Sequence, residues 1–400
     1  MKTTATTREF PIPTHEELMK LSELPGLQEL LLSNTTLLES LLATWSETLA
    51  KDDFLQLVIT IGDCYKQRGD LSRAEGMYTL GLAQKGSDCQ LNLVGEAFMQ
   101  RGDVYSRQGR WRDASADLDQ SRKIYKQLNE LVALGRAENI LGINYAVRGK
   151  MKRAKTYIKR ALQSFEQFEE TLLSGIAQMN LGVVHSLLGD YDGALSSYHR
   201  ARSHFEEAGD LARLAEIHHK CGMAFLEKRV YDEALREFEL TASFSAKCNT
   251  LRFTGLAKLG KANVYYQLGD LQAALSLANQ SLDSFSIHDD RLNLADVYLL
   301  KGKIHREMKK NEFAEWYVQT SLKINLAIEN QFSVGECYYQ LGILHKLCSK
   351  LRESRRAFEK SLECFASIGA IHDVKRVRAE LRSIRGKSGD EIRRTRQQKS

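Results

Sequence analysis

A 40-residue repeat constrains this chain more than any other feature. Glycine stands at Gly62, Gly102, Gly142, Gly182, Gly222, Gly302 and Gly342, with Ala262 the one exception. Three residues after each come Tyr65, Tyr105, Tyr145, His185, Phe225, Tyr265, His305 and His345. Seven after the first glycine come Gly69, Gly109, Gly149, Gly189 and Gly269, while Arg229, Lys309 and Ser349 depart. Twelve after it come Ala74, Ala114, Ala154, Ala194, Ala234, Ala274 and Ala314, then Ser354. A further small-residue column runs Gly95, Gly135, Gly175, Ala215, Gly255, Ala295 and Gly335. Eight copies in register, without insertion, mark a repeat array.

The columns read as helix pairs. In the fourth copy Ala177, Leu181, Val184, His185 and Leu188 fall at helical spacing on a first helix. Glycine inside a helix costs about 1 kcal/mol relative to alanine. Gly182 is therefore expected where a neighbouring helix approaches closely, and Ala194 is expected to be small for the same reason. Gly189-Asp190 ends the first helix, glycine taking the left-handed position after the cap. A second helix is predicted over 191–207, with Ala194, Tyr198, Ala201 and Phe205 inward, and Gly209-Asp210 closes the unit. One face of each hairpin stays apolar until the next hairpin covers it, so stacking is obligatory. Proline agrees: the only three are Pro11, Pro13 and Pro25, leaving 26–400 free of helix breakers.

The order L-G-x-x-[YFH]-x-x-x-G-[DKR]-[YWLM]-x-x-A-x-x-x-[YFL] resembles the tetratricopeptide repeat over residues 51–370. The period is 40 rather than the family's usual 34, and the repeat-ending proline is absent. The resemblance is to the longer-helix branch seen in spindle-orientation adaptors, maltose-type transcription activators and bacterial signal-peptide receptors. The G-x-A before the core motif, as at Gly175–Ala177, is typical of that branch. It implies an all-α, right-handed superhelical solenoid of antiparallel helix pairs.

The expected organisation is a flexible 1–13, N-terminal capping helices over 14–50, eight repeats over 51–370, a C-terminal capping helix over 371–386 and a basic disordered tail over 387–400. Leu31, Leu38, Leu41, Leu42 and Trp45 form a stripe one period ahead of the first unit. Residues 14–24 read as a short helix with Thr14 and Glu17 as a capping box. Residues 371–400 hold ten Lys/Arg and four Asp/Glu, a net of +6, which equals the net charge of the whole chain. The first 370 residues therefore sum to zero, and a nucleic acid or an acidic surface is a candidate partner for that tail alone.

The seven cysteines are scattered and never spaced C-x-x-C, which suits reduced thiols in a cytoplasmic protein. The first residues lack the apolar core of a signal peptide, and no membrane span is expected. No nucleophile elbow, Walker loop or H-E-x-x-H occurs, so an enzyme, a cofactor and a metal are not expected. His218 and His219 are adjacent on a helix, about 100° apart, and His199 and His204 are five apart; neither spacing chelates well. His185, His305 and His345 fill the Tyr/Phe position and are expected to pack.

In the tetratricopeptide family the other stripe of each first helix lines a concave groove that binds peptides or helices. The resemblance carries that role to Met99; Arg136 and Asn139; Met179, Asn180 and Val183; His219, Lys220 and Met223; Leu259, Asn263 and Tyr266; Lys303 and Arg306; and Tyr339 and Gln340. Methionines suit adaptable apolar contact, and the asparagines can bond a ligand backbone. The lysine/asparagine clamp for chaperone carboxy-termini is not reproduced, since Ile59 and Asp63 stand in those positions. The expected work is that of a scaffold or adaptor for a protein or peptide. Two alternatives are a receptor for a small signal peptide and a nucleic-acid-associated regulator using the basic tail.

Overall fold

The computed structural model describes residues 35–86, 89–287, 290–368, 370 and 372–384. The expected helix at 14–24, Leu31 and the tail at 387–400 lie outside the described residues. Every regular element among the described residues is a helix. They are α1 (Thr35–Thr48), α2 (Lys51–Gln67), α3 (Leu71–Gln84), α4 (Leu91–Arg107), α5 (Trp111–Leu128), α6 (Leu131–Val147), α7 (Met151–Gln167), α8 (Thr171–Leu187) and α9 (Tyr191–Glu207). Then come α10 (Leu211–Glu227), α11 (Tyr231–Lys247), α12 (Leu251–Leu268), α13 (Leu271–Ser286), α14 (Arg291–Glu307), α15 (Asn311–Ala327), α16 (Gln331–Leu347), α17 (Leu351–Ser367) and α18 (372–384). From Lys51 onward to α17, each helix begins twenty residues after the last, so one 40-residue period is two helices and two turns.

The chain divides into two compact units at Asn144/Tyr145, within α6. In the first, α2 pairs with α3 and α4 with α5, and α3 packs on α4. Leu38, Leu41, Leu42 and Trp45 of α1 join Phe54, Val58, Tyr65 and Tyr78 in its core. In the second, α8–α9, α10–α11, α12–α13, α14–α15 and α16–α17 are hairpins, each stacked on the next. Val377, Leu381 and Ile384 of α18 cover Phe358 and Phe365.

Gly189 takes φ 75° after α8, and Asp190 then caps α9 by accepting from the Gly193 amide at 3.0 Å. The same left-handed turn is held by residues with side chains where the glycine column lapses: Arg229 (φ 60°), Lys309 (φ 62°) and Ser349 (φ 61°). The register of the two helices dictates the turn, not the residue that occupies it.

The glycine columns make room for side chains of the paired second helix. A Cβ on Gly182 would lie 2.4 Å from the Tyr198 ring, and one on Gly175 would lie 2.6 Å from Phe205. The close approach expected at Gly182 is thus made by a ring sixteen residues on, rather than by a neighbouring backbone. Where a column carries alanine, the opposing residue shrinks. Ala262 is followed sixteen residues later by Ala278, where Tyr198, Phe238 and Phe358 stand in sibling hairpins. Ala215 and Ala295 are followed thirty residues later by Ser245 and Asn325, in place of Phe205, Phe285 and Phe365. All these partners are buried.

Candidate functional site

Of the histidines in the aromatic column, His185 and His305 are held by neighbouring side chains. His185 Nδ1 bonds the Asp190 carboxylate, tying the end of α8 to the cap of α9. That bond and the Gly193 amide hold the Asp190 carboxyl below the usual carboxylate range. His305 is buried with its ring stacked at 5.0 Å on Tyr317 and 5.6 Å on Phe313. His218 is buried against Phe244 and pairs with Glu237 at 2.7 Å. Among the described residues, no group of three or more His, Cys, Asp or Glu side chains is placed to hold a metal. No described helix is long and apolar enough to cross a membrane. All seven cysteines are free, and burial pushes the Cys221 thiol up to about 12.

The first-helix stripe differs between the two units. In the first unit α2 and α4 meet, and the stripe is a lattice of charges. Arg136 reaches Glu96, one period earlier, with two bonds of 3.0 and 3.1 Å. Glu96 also accepts from Gln100 and from the Tyr125 hydroxyl. Lys66 bonds Gln100 and pairs with Asp63 at 3.2 Å. Asp63 accepts in turn from the Tyr78 hydroxyl. Met99 and Asn139 are buried beneath this lattice, with Met99 at 1% exposure.

In the second unit the stripe has two regions. From α8 to α12 it presents Ile176, Asn180, Val183, Lys220, Met223, Leu256, Asn263 and Tyr266, all at least partly accessible. Met223 is 36% exposed. The charges here are satisfied locally: Lys220 and Arg213 both pair with Glu216 of their own helix. Asn263 donates to the Leu259 carbonyl at 2.9 Å. His219 turns its ring against Phe238, and its buried Nδ1 has no partner among the described residues. Burial lowers its pKa to about 3, so it is neutral. Met179 and Leu259 are buried in the packing between hairpins.

From α14 to α18 the stripe becomes charged and cross-linked. Arg306 donates to Gln340 and to the Tyr266 hydroxyl, bridging three first helices. Glu336 pairs with Lys303 at 3.6 Å and accepts from Arg376 at 2.6 Å. Burial works against the charge of Glu336, but Lys303 and Arg376 outweigh it and hold the carboxyl below its usual range. Arg376 also lies 4.1 Å from the centre of the half-buried Tyr339 ring, and Gln340 is buried. Asp296 stands in the column of Glu96 and Glu336, but one period later comes the acid Glu336 rather than an arginine. Burial pushes the Asp296 carboxyl up to about 6, with Lys303 opposing.

Sequence reasoning missed Asp296, Glu336 and Arg376. The available signal was the alternation of acid and arginine at one period, Glu96 with Arg136 and Glu336 with Arg376.

The profile of the soluble NSF attachment protein (SNAP) family matches residues 71–258. The regulatory protein RapG of Bacillus subtilis (strain 168) is 27% identical over 107 residues, which is 26% of this chain and 29% of RapG. The match therefore spans less than a third of that relative's length. Among solved structures, the apo form of the quorum sensor NprR from B. thuringiensis aligns with a TM-score of 0.59 at 16% identity, covering 88% of this chain and 96% of NprR. A Rap protein complexed with competence and sporulation factor aligns at 0.56 and 15% identity, covering 94% and 99%. The Rap conjugation gene regulator of plasmid pLS20, in complex with the Phr* peptide, aligns at 0.56 and 15%, covering 69% and 74%. The shared feature is the fold, a tetratricopeptide-like array of helix pairs.

Proposed function

We propose that this chain is a regulatory scaffold that binds a peptide or a helical segment along the first-helix face of its second unit. One observation carries the reading: between α8 and α12 this face is apolar and amide-bearing, with accessible Val183, Met223 and Tyr266. Apolar anchors beside backbone-bonding amides suit a peptide laid along helices. The charged region from Asp296 to Arg376 would adjoin its end, and Asp296 would accept a basic group from the ligand. In this reading residues 51–370 are the eight working repeats, with 14–50 and 371–386 as caps. The role is binding rather than catalysis, and the free thiols accord with a cytoplasmic setting.

Within that class, a receptor for a small peptide is favoured over a passive adaptor. Two of the proteins similar in fold are described in complex with a ligand, competence and sporulation factor in one and the Phr* peptide in the other.

The test is affinity selection from a displayed random-peptide library on the intact chain, beside a variant carrying Val183→Glu, Met223→Glu and Asn263→Ala. The wild type is expected to enrich related sequences, and the variant to bind them at least tenfold more weakly, about 1.4 kcal/mol. Equal retention by the variant would refute the site. Small-angle scattering with a selected peptide then separates receptor from adaptor, because a receptor changes its radius of gyration on binding.

A further inference from the structure

A strongly basic surface lies on the outward side of α7, away from the first-helix stripe. Residues 139–165 contain no Asp or Glu, yet they hold Arg148, Lys150, Lys152, Arg153, Lys155, Lys159 and Arg160. The buried stripe of α7 is Ala154, Ile158, Ala161, Leu162 and Phe165. Helical periodicity then turns Lys152, Arg153, Thr156, Lys159, Arg160 and Gln163 outward, and all six are exposed. Lys155 is half-buried and feels the Asp190 carboxylate. The one acid of α7, Glu166 in its last turn, is exposed as well, whereas α9, α11, α15 and α17 each carry two or more.

The surface is also held in place. Tyr145 and Tyr157 stack with ring centres 5.4 Å apart. Arg153 and Lys150 lie over Tyr145 at 5.6 and 5.9 Å, and Arg160 lies over Tyr157 at 5.9 Å. Cation–π contact keeps these groups at the surface without neutralising them.

We propose that the outward face of α7 binds the phosphate backbone of nucleic acid, independently of base sequence. Protein interfaces centre on buried apolar anchors. Here the large exposed apolar side chains, Val147 and Phe168, lie only beyond the two ends of the basic stretch. Phosphate binding needs positive charge and hydrogen-bond donors, which the lysines, arginines and Gln163 supply. From Lys152 to Arg160 the helix advances about 12 Å, the axial length over which a duplex carries about seven phosphate charges. Affinity is then expected to follow charge and to fall as salt rises.

The experiment uses the full chain, a labelled 20-base-pair duplex and fluorescence anisotropy between about 50 and 200 mM salt. The variant carries Lys152→Gln, Arg153→Gln, Lys159→Gln and Arg160→Gln. A control removes equal charge elsewhere, with Arg393→Gln, Arg394→Gln, Arg396→Gln and Lys399→Gln. Circular dichroism and melting confirm that the variants fold. The expected result is at least a tenfold loss of affinity at low salt for the α7 variant, and a log–log salt slope shallower by about 4. Absence of duplex binding by the wild type would overturn the proposal. So would an α7 variant that keeps the wild-type affinity and slope. Polyglutamate bound through the same four residues more tightly than the duplex would assign the surface to an acidic protein and equally overturn it.

Discussion

One methyl group at Gly182 would meet the Tyr198 ring at 2.4 Å, a separation that only displacement relieves. Gly182→Ala is therefore expected to destabilise by about 1–3 kcal/mol in urea unfolding, the usual range for overpacking. Tyr198→Leu in the same chain should recover part of that loss, because the two sites share one volume. The turn at Lys309 behaves in the opposite sense. Its φ of 62° is a conformation that L-residues adopt at a cost of about 1–2 kcal/mol. Lys309→Gly should raise stability by about 0.5–1 kcal/mol, after the greater freedom of glycine in the unfolded chain is subtracted. The fold was legible at this scale because Gly, Ala and aromatic residues recur in columns. What stayed hidden was which ring fills which gap, since the partner lies sixteen or thirty residues away and only packing pairs them.

At the scale of helices, the first-helix stripe reads in the sequence as one surface. Packing splits it. Met99, Asn139, Met179, Leu259 and Gln340 are closed off, while Met223 stays open. A linear pattern cannot separate these, because the angle between successive hairpins decides how deep each position sits. The charges show the same limit. Lys303, Arg306 and Tyr339 stand out in the sequence, but their partners Glu336, Gln340 and Arg376 come from other turns of the array. Arg376 joins α18 to α16 by one bond to Glu336 and one ring contact. Arg376→Ala should speed amide hydrogen exchange across 372–384 at least tenfold, while α10 keeps its protection. That contrast follows from a stack in which stability passes between nearest neighbours.

Charge at the scale of the whole molecule misleads if read as a sum. The first 370 residues balance to zero, which drew attention to the basic end of the chain. Within that zero, 139–165 carry seven positive charges and no negative ones. The helix concentrates that surplus on one side, with Lys152, Arg153, Lys159 and Arg160 exposed and Ala154 and Ala161 buried.

The paired shrinkage of Ala262 with Ala278, and of Ala295 with Asn325, has a bearing on how such arrays are assembled. Repeats that look alike are not interchangeable parts. The α8 helix, with Gly182, presents a gap that the Phe238 ring of α11 would fill as well as its own Tyr198. The α12 helix, with Ala262, has no such gap and would reject α9. Each hairpin carries a two-letter compatibility code, written once in each helix, and a unit duplicated or transplanted whole keeps it. A crossover between the two helices of a hairpin breaks the code unless both letters happen to match, and a crossover between α11 and α12 must also keep Gly260, where a Cβ would lie 2.4 Å from the Phe238 ring.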